Sequence, residues 1–83
     1  MIKIFVLRQC PYCISALRYL DVLMKDPQYQ NIEIKIIDEN EEKALANSHD
    51  YFYVPTFYLD GKKLHEGVAS FSDVKIVLDK AIG

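Results

Sequence analysis

Two cysteines separated by a proline and a tyrosine, Cys10-Pro11-Tyr12-Cys13, are the residues in this chain best equipped for covalent chemistry. They stand where the apolar run Ile4 to Leu7 gives way to an amphipathic pattern, so the pair reads as the junction of a strand with the first turn of a helix. A thiol placed there meets unpaired backbone N–H groups and the positive end of the helix dipole, and both favour thiolate over thiol. Moving a cysteine pKa from about 8.5 to about 7 takes roughly 2 kcal/mol and raises the reactive fraction at neutral pH from a few per cent to about half. Intrinsic nucleophilicity gives back only part of that gain, because its Brønsted slope is about 0.4 to 0.5. Pro11 suits the first helical position, having no N–H to waste and a φ already helical. Cys10 then becomes the N-cap, exposed and activated, while Cys13 lies a turn inside and shielded. The asymmetry predicts an attacking thiol and a resolving thiol.

As a structural staple the pair would be weak, since closing so short a loop is worth only about 2 kcal/mol on the chain-entropy model. In a reducing compartment it would rest as a dithiol, and it reads as a pair that cycles. A zinc site is not expected, because the remaining candidates, His49 and His65, lack the spacing of a finger. Ile14 follows Cys13, which excludes the Cys-x-x-Cys-His haem-attachment pattern. Both histidines read as surface or strand-edge residues with no general-base role.

The elements that must hold these thiols follow from hydrophobic periodicity. Met1 to Leu7 is nearly all apolar and suits a central strand covered on both faces. Cys13, Ala16, Leu17, Leu20, Leu23 and Met24 form a helical stripe of about a dozen residues, with Asp21 and Lys25 spaced to pair; Asp26-Pro27 should end it. Ile32 to Asp38 alternates as a second strand, parallel to the first through a right-handed crossover. A short helix from Glu41 to about Ser48, capped by Asp38 or Asn40, is expected next, its glutamates an ordinary helix amino terminus. Pro55 belongs at the start of a third strand, and Thr56–Leu59, Asp60-Gly61 and Lys63–Glu66 read as a hairpin that Gly67 ends. Ser70 and Asp73 resemble a capping box in front of a last helix carrying Phe71, Val74, Val77, Leu78 and Ile82 inward. Tyr51, Phe52, Tyr53, Phe57 and Tyr58 are expected as core and sheet packing, Tyr53 being also placed to line a groove beside Pro55. The order is β-α-β-α-β-β-α.

That order, with Cys10-Pro11-Tyr12-Cys13 and Val54-Pro55 before the third strand, resembles the glutaredoxins, within the wider thioredoxin-fold group. The resemblance covers nearly the whole chain. It implies an α/β thioredoxin-like fold, a four-stranded mixed sheet flanked by three helices. It also implies a cis proline at Pro55 facing the cysteines, a Val54 backbone that hydrogen-bonds an incoming peptide or glutathione, an Arg8 that helps hold the glycyl carboxylate of glutathione, and a Tyr12 flanking the sulfur. The departures are Tyr53 where the family usually has Thr, and Leu64-His65-Glu66-Gly67-Val68 where it has a Gly-Gly pair that contacts the γ-glutamyl end of glutathione. Glu66 is expected to repel that end, so glutathione-dependent activity should be weaker than in a full glutaredoxin and should improve when His65 and Glu66 are both replaced by Gly. A single Gly followed by Val is more like thioredoxin, yet the chain has no Trp.

The implied function is a dithiol thiol-disulfide oxidoreductase acting on protein disulfides or glutathione mixed disulfides, without a tightly bound cofactor, its donor being glutathione or a thioredoxin-reductase-type protein. The alternative is a carrier dimer in which one exposed thiolate per chain and two glutathiones hold an iron-sulfur cluster. Eighty-three residues make one domain, 1–83, and 51% hydrophobic content with six Tyr and four Phe supports a packed core. A net charge of -2 argues against nucleic acid as a partner. With neither a signal-like nor a membrane-length apolar run, the chain is expected to be cytoplasmic, without membrane association, and monomeric.

Overall fold

The computed structural model describes all residues, Met1–Gly83. Its strands are β1 (Ile2–Val6), β2 (Ile34–Asp38), β3 (Thr56–Leu59) and β4 (Lys62–Glu66), and its helices are α1 (Pro11–Leu23), α2 (Lys43–Asn47) and α3 (Phe71–Ile82). The strands form one sheet in the order β2-β1-β3-β4, with β1 parallel to β2 and antiparallel to β3, and β3 antiparallel to β4. This is the expected mixed α/β arrangement.

Strand β1 is central, and its period-two alternation divides the core. Ile2, Ile4 and Val6 point to the face covered by α1 and α3, where they meet Cys13, Ala16, Leu20, Leu23, Phe57, Val74, Val77 and Leu78. Phe5 points to the other face and packs with Ile37, Ala46 and Tyr58 under α2. The α1 stripe therefore buries as its spacing predicts, Leu17 and Met24 lying half-buried at its border.

Several local expectations need correction. Asp21 and Lys25 form no ion pair, because α1 stops at Leu23 and Lys25 already lies in the turn beyond it. Pro27–Tyr29 then forms a 3-10 turn capped by the Asp26 carboxylate, which swings Tyr29 into the core. Helix α2 spans only Lys43–Asn47, and its N-cap is Glu42 without a side-chain bond. The Asp38 carboxylate instead accepts from the Asn40 N–H, closing a turn before the helix starts. Phe52 and Tyr53 are not core residues: they are 86% and 70% exposed. His49 is more than a surface residue, since its ring lies 4.6 Å from that of Phe5 and 4.9 Å from that of Tyr58. His65 does sit on the edge strand β4, with Nε2 2.9 Å from the Val68 carbonyl.

The hairpin forms as expected, and the last helix buries Val74, Val77 and Leu78, but Phe71 and Ile82, expected to face inward, are largely exposed at its two ends. Asp60 and Gly61 take φ of 49° and 86°, the left-handed conformation a two-residue hairpin turn requires. The Ser70–Asp73 capping box closes in both directions. No helix is long and apolar enough to cross a membrane.

Candidate active site

Register places the chemistry at one edge of the sheet. Phe5 of β1 stands opposite Thr56 of β3, and Thr56 opposite Glu66 of β4. The loop leaving β1, the loop entering β3 and the loop leaving β4 therefore share that edge. The first carries Cys10, the second Val54-Pro55, and the third Gly67.

Cys10 is the N-cap of α1, with extended backbone, and Pro11 opens the helix. No side-chain bond caps α1, so its sulfur is what stands before the first amides. The Cys13 N–H, aimed at that sulfur, is the main cause holding the Cys10 thiol below its ordinary pKa, with smaller help from the Tyr12 N–H and the Cys13 thiol. Cys13 is completely buried. Burial is the chief cause that pushes its thiol up to about 11, and the neighbouring Cys10 adds to it. Both cysteines are free thiols, and Cys10 is half-buried rather than openly exposed, packed against the core as Val54 is.

The Val54–Pro55 peptide bond is cis, and Pro55 is buried. No hydrogen bond within the chain engages the N–H or C=O of Val54, which leaves one open backbone unit at the same edge of the sheet as Cys10. The loop around it is tied down by side chains. Glu66 accepts from the Phe52 and Tyr53 N–H groups at 2.5 and 3.0 Å and from Lys63 Nζ at 2.7 Å. The Thr56 hydroxyl donates to the Tyr53 carbonyl, and the Gly67 N–H to the Pro55 carbonyl at 2.9 Å. Lys63 first, then the two amides, hold the Glu66 carboxyl down at about 2. The repulsive role expected for Glu66 is therefore replaced by a bracing one, because its charge is matched by Lys63 and shared with two amides. Replacing it with Gly would loosen the loop that carries Pro55.

Arg8 lies at this edge too, with its guanidinium Nε engaged by two carboxylates. Nε is 3.1 Å from a Glu41 carboxylate oxygen and 3.4 Å from Asp38, which is only 6% exposed. Glu41 is thus an ion-pair partner rather than an ordinary helix terminus. A cavity of about 450 Å³ lies here, between Leu7, Arg8, Cys10, Asp38, Asn40 and Glu41. Tyr12 is 56% exposed beside the sulfur. The structure places Cys10, Cys13, Val54 and Pro55 at one edge of the sheet, leaves Tyr12 and Tyr53 exposed, and ties Arg8 Nε to two carboxylates. Sequence reasoning missed Asp38 and Glu41 as neighbours of Arg8 and Glu66 as the loop's brace. No three His, Cys, Asp or Glu side chains come together as metal ligands.

Comparison with known proteins agrees with this geometry. A solved malarial protein superposes with a TM-score of 0.74 at 20% identity, covering 99% of this chain and 96% of its own. The crystal structure of a thioredoxin-like protein mutant superposes with a TM-score of 0.68, also at 20% identity, covering 94% and 99%. At such identities these show the fold, which is thioredoxin-like. In sequence, the chain is 36% identical over 67 residues to glutaredoxin 1 of Rickettsia prowazekii (strain Madrid E), a match spanning 80% of this chain and 66% of that protein. The sequence profile of the glutaredoxin family matches residues 2–64, from β1 through both cysteines and Pro55 into β4. The chain belongs to the glutaredoxin family.

Proposed function

We propose that this protein is a dithiol thiol-disulfide oxidoreductase in which Cys10 attacks and Cys13 resolves. The observation that carries the reading is the opposite displacement of two thiols three residues apart, Cys10 held below its ordinary pKa and Cys13 raised to about 11. The Cys10 thiolate attacks one sulfur of a substrate disulfide; a mixed disulfide forms, and the other sulfur leaves as a thiolate that takes a proton from water. Cys13 then loses its proton and attacks the Cys10 sulfur, the second substrate thiol departs, and the protein holds the disulfide, oxidised by two electrons. Ionising Cys13 is easier at that stage. The charge and hydrogen bond of Cys10 both oppose it in the free dithiol, and both vanish once Cys10 is covalently tied.

The open Val54 N–H and C=O hydrogen-bond the substrate backbone next to its cysteine, in the manner of an added strand, with Pro55 as the wall and Tyr12 and Tyr53 as sides. A thiol donor, either glutathione or the dithiol of a reductase, regenerates the pair in a reducing compartment such as the cytoplasm. Cys10→Ser should abolish disulfide reduction, and Cys13→Ser should accumulate a mixed disulfide visible by mass. Undiminished turnover in the Cys10 variant would overturn the mechanism.

A further inference from the structure

In a regular strand, residues three apart face opposite sides of the sheet, yet Lys63 and Glu66 of β4 form an ion pair at 2.7 Å. A bulge makes the pair possible. Phe57 stands opposite His65 and Tyr58 opposite Lys63, so Leu64 is an extra residue with no partner across the ladder, half-buried against the core. The shift puts Glu66 opposite Thr56, on the face that Thr56, Tyr58 and Lys63 share. His65 goes to the other face, its ring 6.0 Å from that of Phe57. With regular alternation Glu66 would turn away from Lys63.

The shared face holds the chain that leads into β3. The Asp50 carbonyl accepts from the Tyr58 hydroxyl at 2.6 Å and from Lys63 Nζ at 3.2 Å. The Glu66 carboxylate accepts from the Phe52 and Tyr53 N–H groups, and the Thr56 hydroxyl donates to the Tyr53 carbonyl. Past the cis bond, the Gly67 N–H donates to the Pro55 carbonyl. Backbone bonds therefore secure both sides of Val54 and leave its own N–H and C=O open. A recognition unit kept open between fixed neighbours is preorganised, because its ordering cost falls on folding rather than on binding.

Resting on the thiol-disulfide reading above, we propose that Glu66 and Lys63, brought onto one face by the Leu64 bulge, are positioning residues that hold the Val54 backbone ready for the polypeptide flanking a substrate disulfide. Neither is among the groups that hold the Cys10 thiol down, so their effect is on how substrate is seated and not on the sulfur. Any disulfide whose chain offers backbone amides draws on the same strut.

The test oxidises the reduced protein with two disulfides and follows it by acid quench and mass: a disulfide-linked peptide long enough to lie along Val54, and 2-hydroxyethyl disulfide, which has no amide to offer. The readout is the ratio of the peptide rate to the hydroxyethyl rate, taken with amide hydrogen exchange at Phe52 and Tyr53 and with the pH midpoint of Cys10 alkylation. Glu66→Ala should lower the ratio about ten-fold, and Lys63→Met about three-fold, as the loop must be ordered anew at each encounter. Both should speed exchange at the two amides and leave the Cys10 midpoint where it is. Should Glu66→Ala fail to fold, Glu66→Gln, which keeps an acceptor oxygen but loses the ion pair, takes its place with a fall of about three-fold. An unchanged ratio in the folded variants, or an equal slowing of both disulfides with a moved Cys10 midpoint, would overturn the proposal while leaving the oxidoreductase reading intact. Failure of both disulfides to oxidise the native Cys10–Cys13 pair would instead overturn that reading.

Discussion

Cys10 and Cys13 share a motif and differ in what surrounds the sulfur. One sits at helix amides; the other has lost all contact with water. Alkylation by iodoacetamide should therefore resolve them: Cys10 should react with a midpoint below that of an ordinary cysteine, and Cys13 should stay unmodified until the pH approaches about 11. Mapping the modified thiol by peptide mass at each pH checks this. Glu66 gives a second test. Its carboxyl lies at about 2 against an ordinary 4.5, so the brace is fully present above the ordinary value and is lost as pH falls toward about 2. The Phe52 and Tyr53 amide resonances should titrate with that low midpoint, and Glu66→Gln should abolish the titration. The placement of the two thiols at the start of α1 and of Pro55 just before β3 was legible in the sequence because it follows from close neighbours. Arg8 and Glu41 are 33 residues apart and Glu66 and Phe52 are 14 apart, so no local pattern announces either contact.

The elements were legible where their apolar period is long. Helix α1 and strand β1 bury the residues their spacing selects, and the capping box at Ser70 forms as its residues predict. Ser70→Ala should lower stability by about 1 kcal/mol, read from the urea midpoint at unchanged slope. Leu20→Ala, which empties a place between α1 and the sheet, should cost about 2 to 5 kcal/mol. Helix α2 was misjudged because its apolar content is thin and its acidic lead-in serves other partners: Asp38 closes a turn, and Glu41 pairs with Arg8. Phe52 and Tyr53 were misjudged for a different reason. Aromatic type suggests burial, but the Glu66 carboxylate fixes their backbone where no core face lies beneath them.

For the molecule as a whole, one edge of the sheet carries the thiols, the cis proline and the braced loop, and the rest of the chain supports that edge. A cluster-bridged dimer would need Cys10 of two chains plus external thiols. Anaerobic reconstitution with iron, sulfide and glutathione should leave the protein colourless and monomeric, because buried Cys13 competes for the Cys10 sulfur. A stable brown dimer in gel filtration would contradict this. The outermost strand β4 shapes how copies of the protein meet in a crowded solution. Lys62 is exposed on it, Lys63 is held by Glu66, and its pairing with β3 is irregular between Phe57 and Tyr58. An exposed lysine and the bend of an irregular ladder both oppose a second strand laid beside it, so concentration alone should not drive the sheets to zip together along β4.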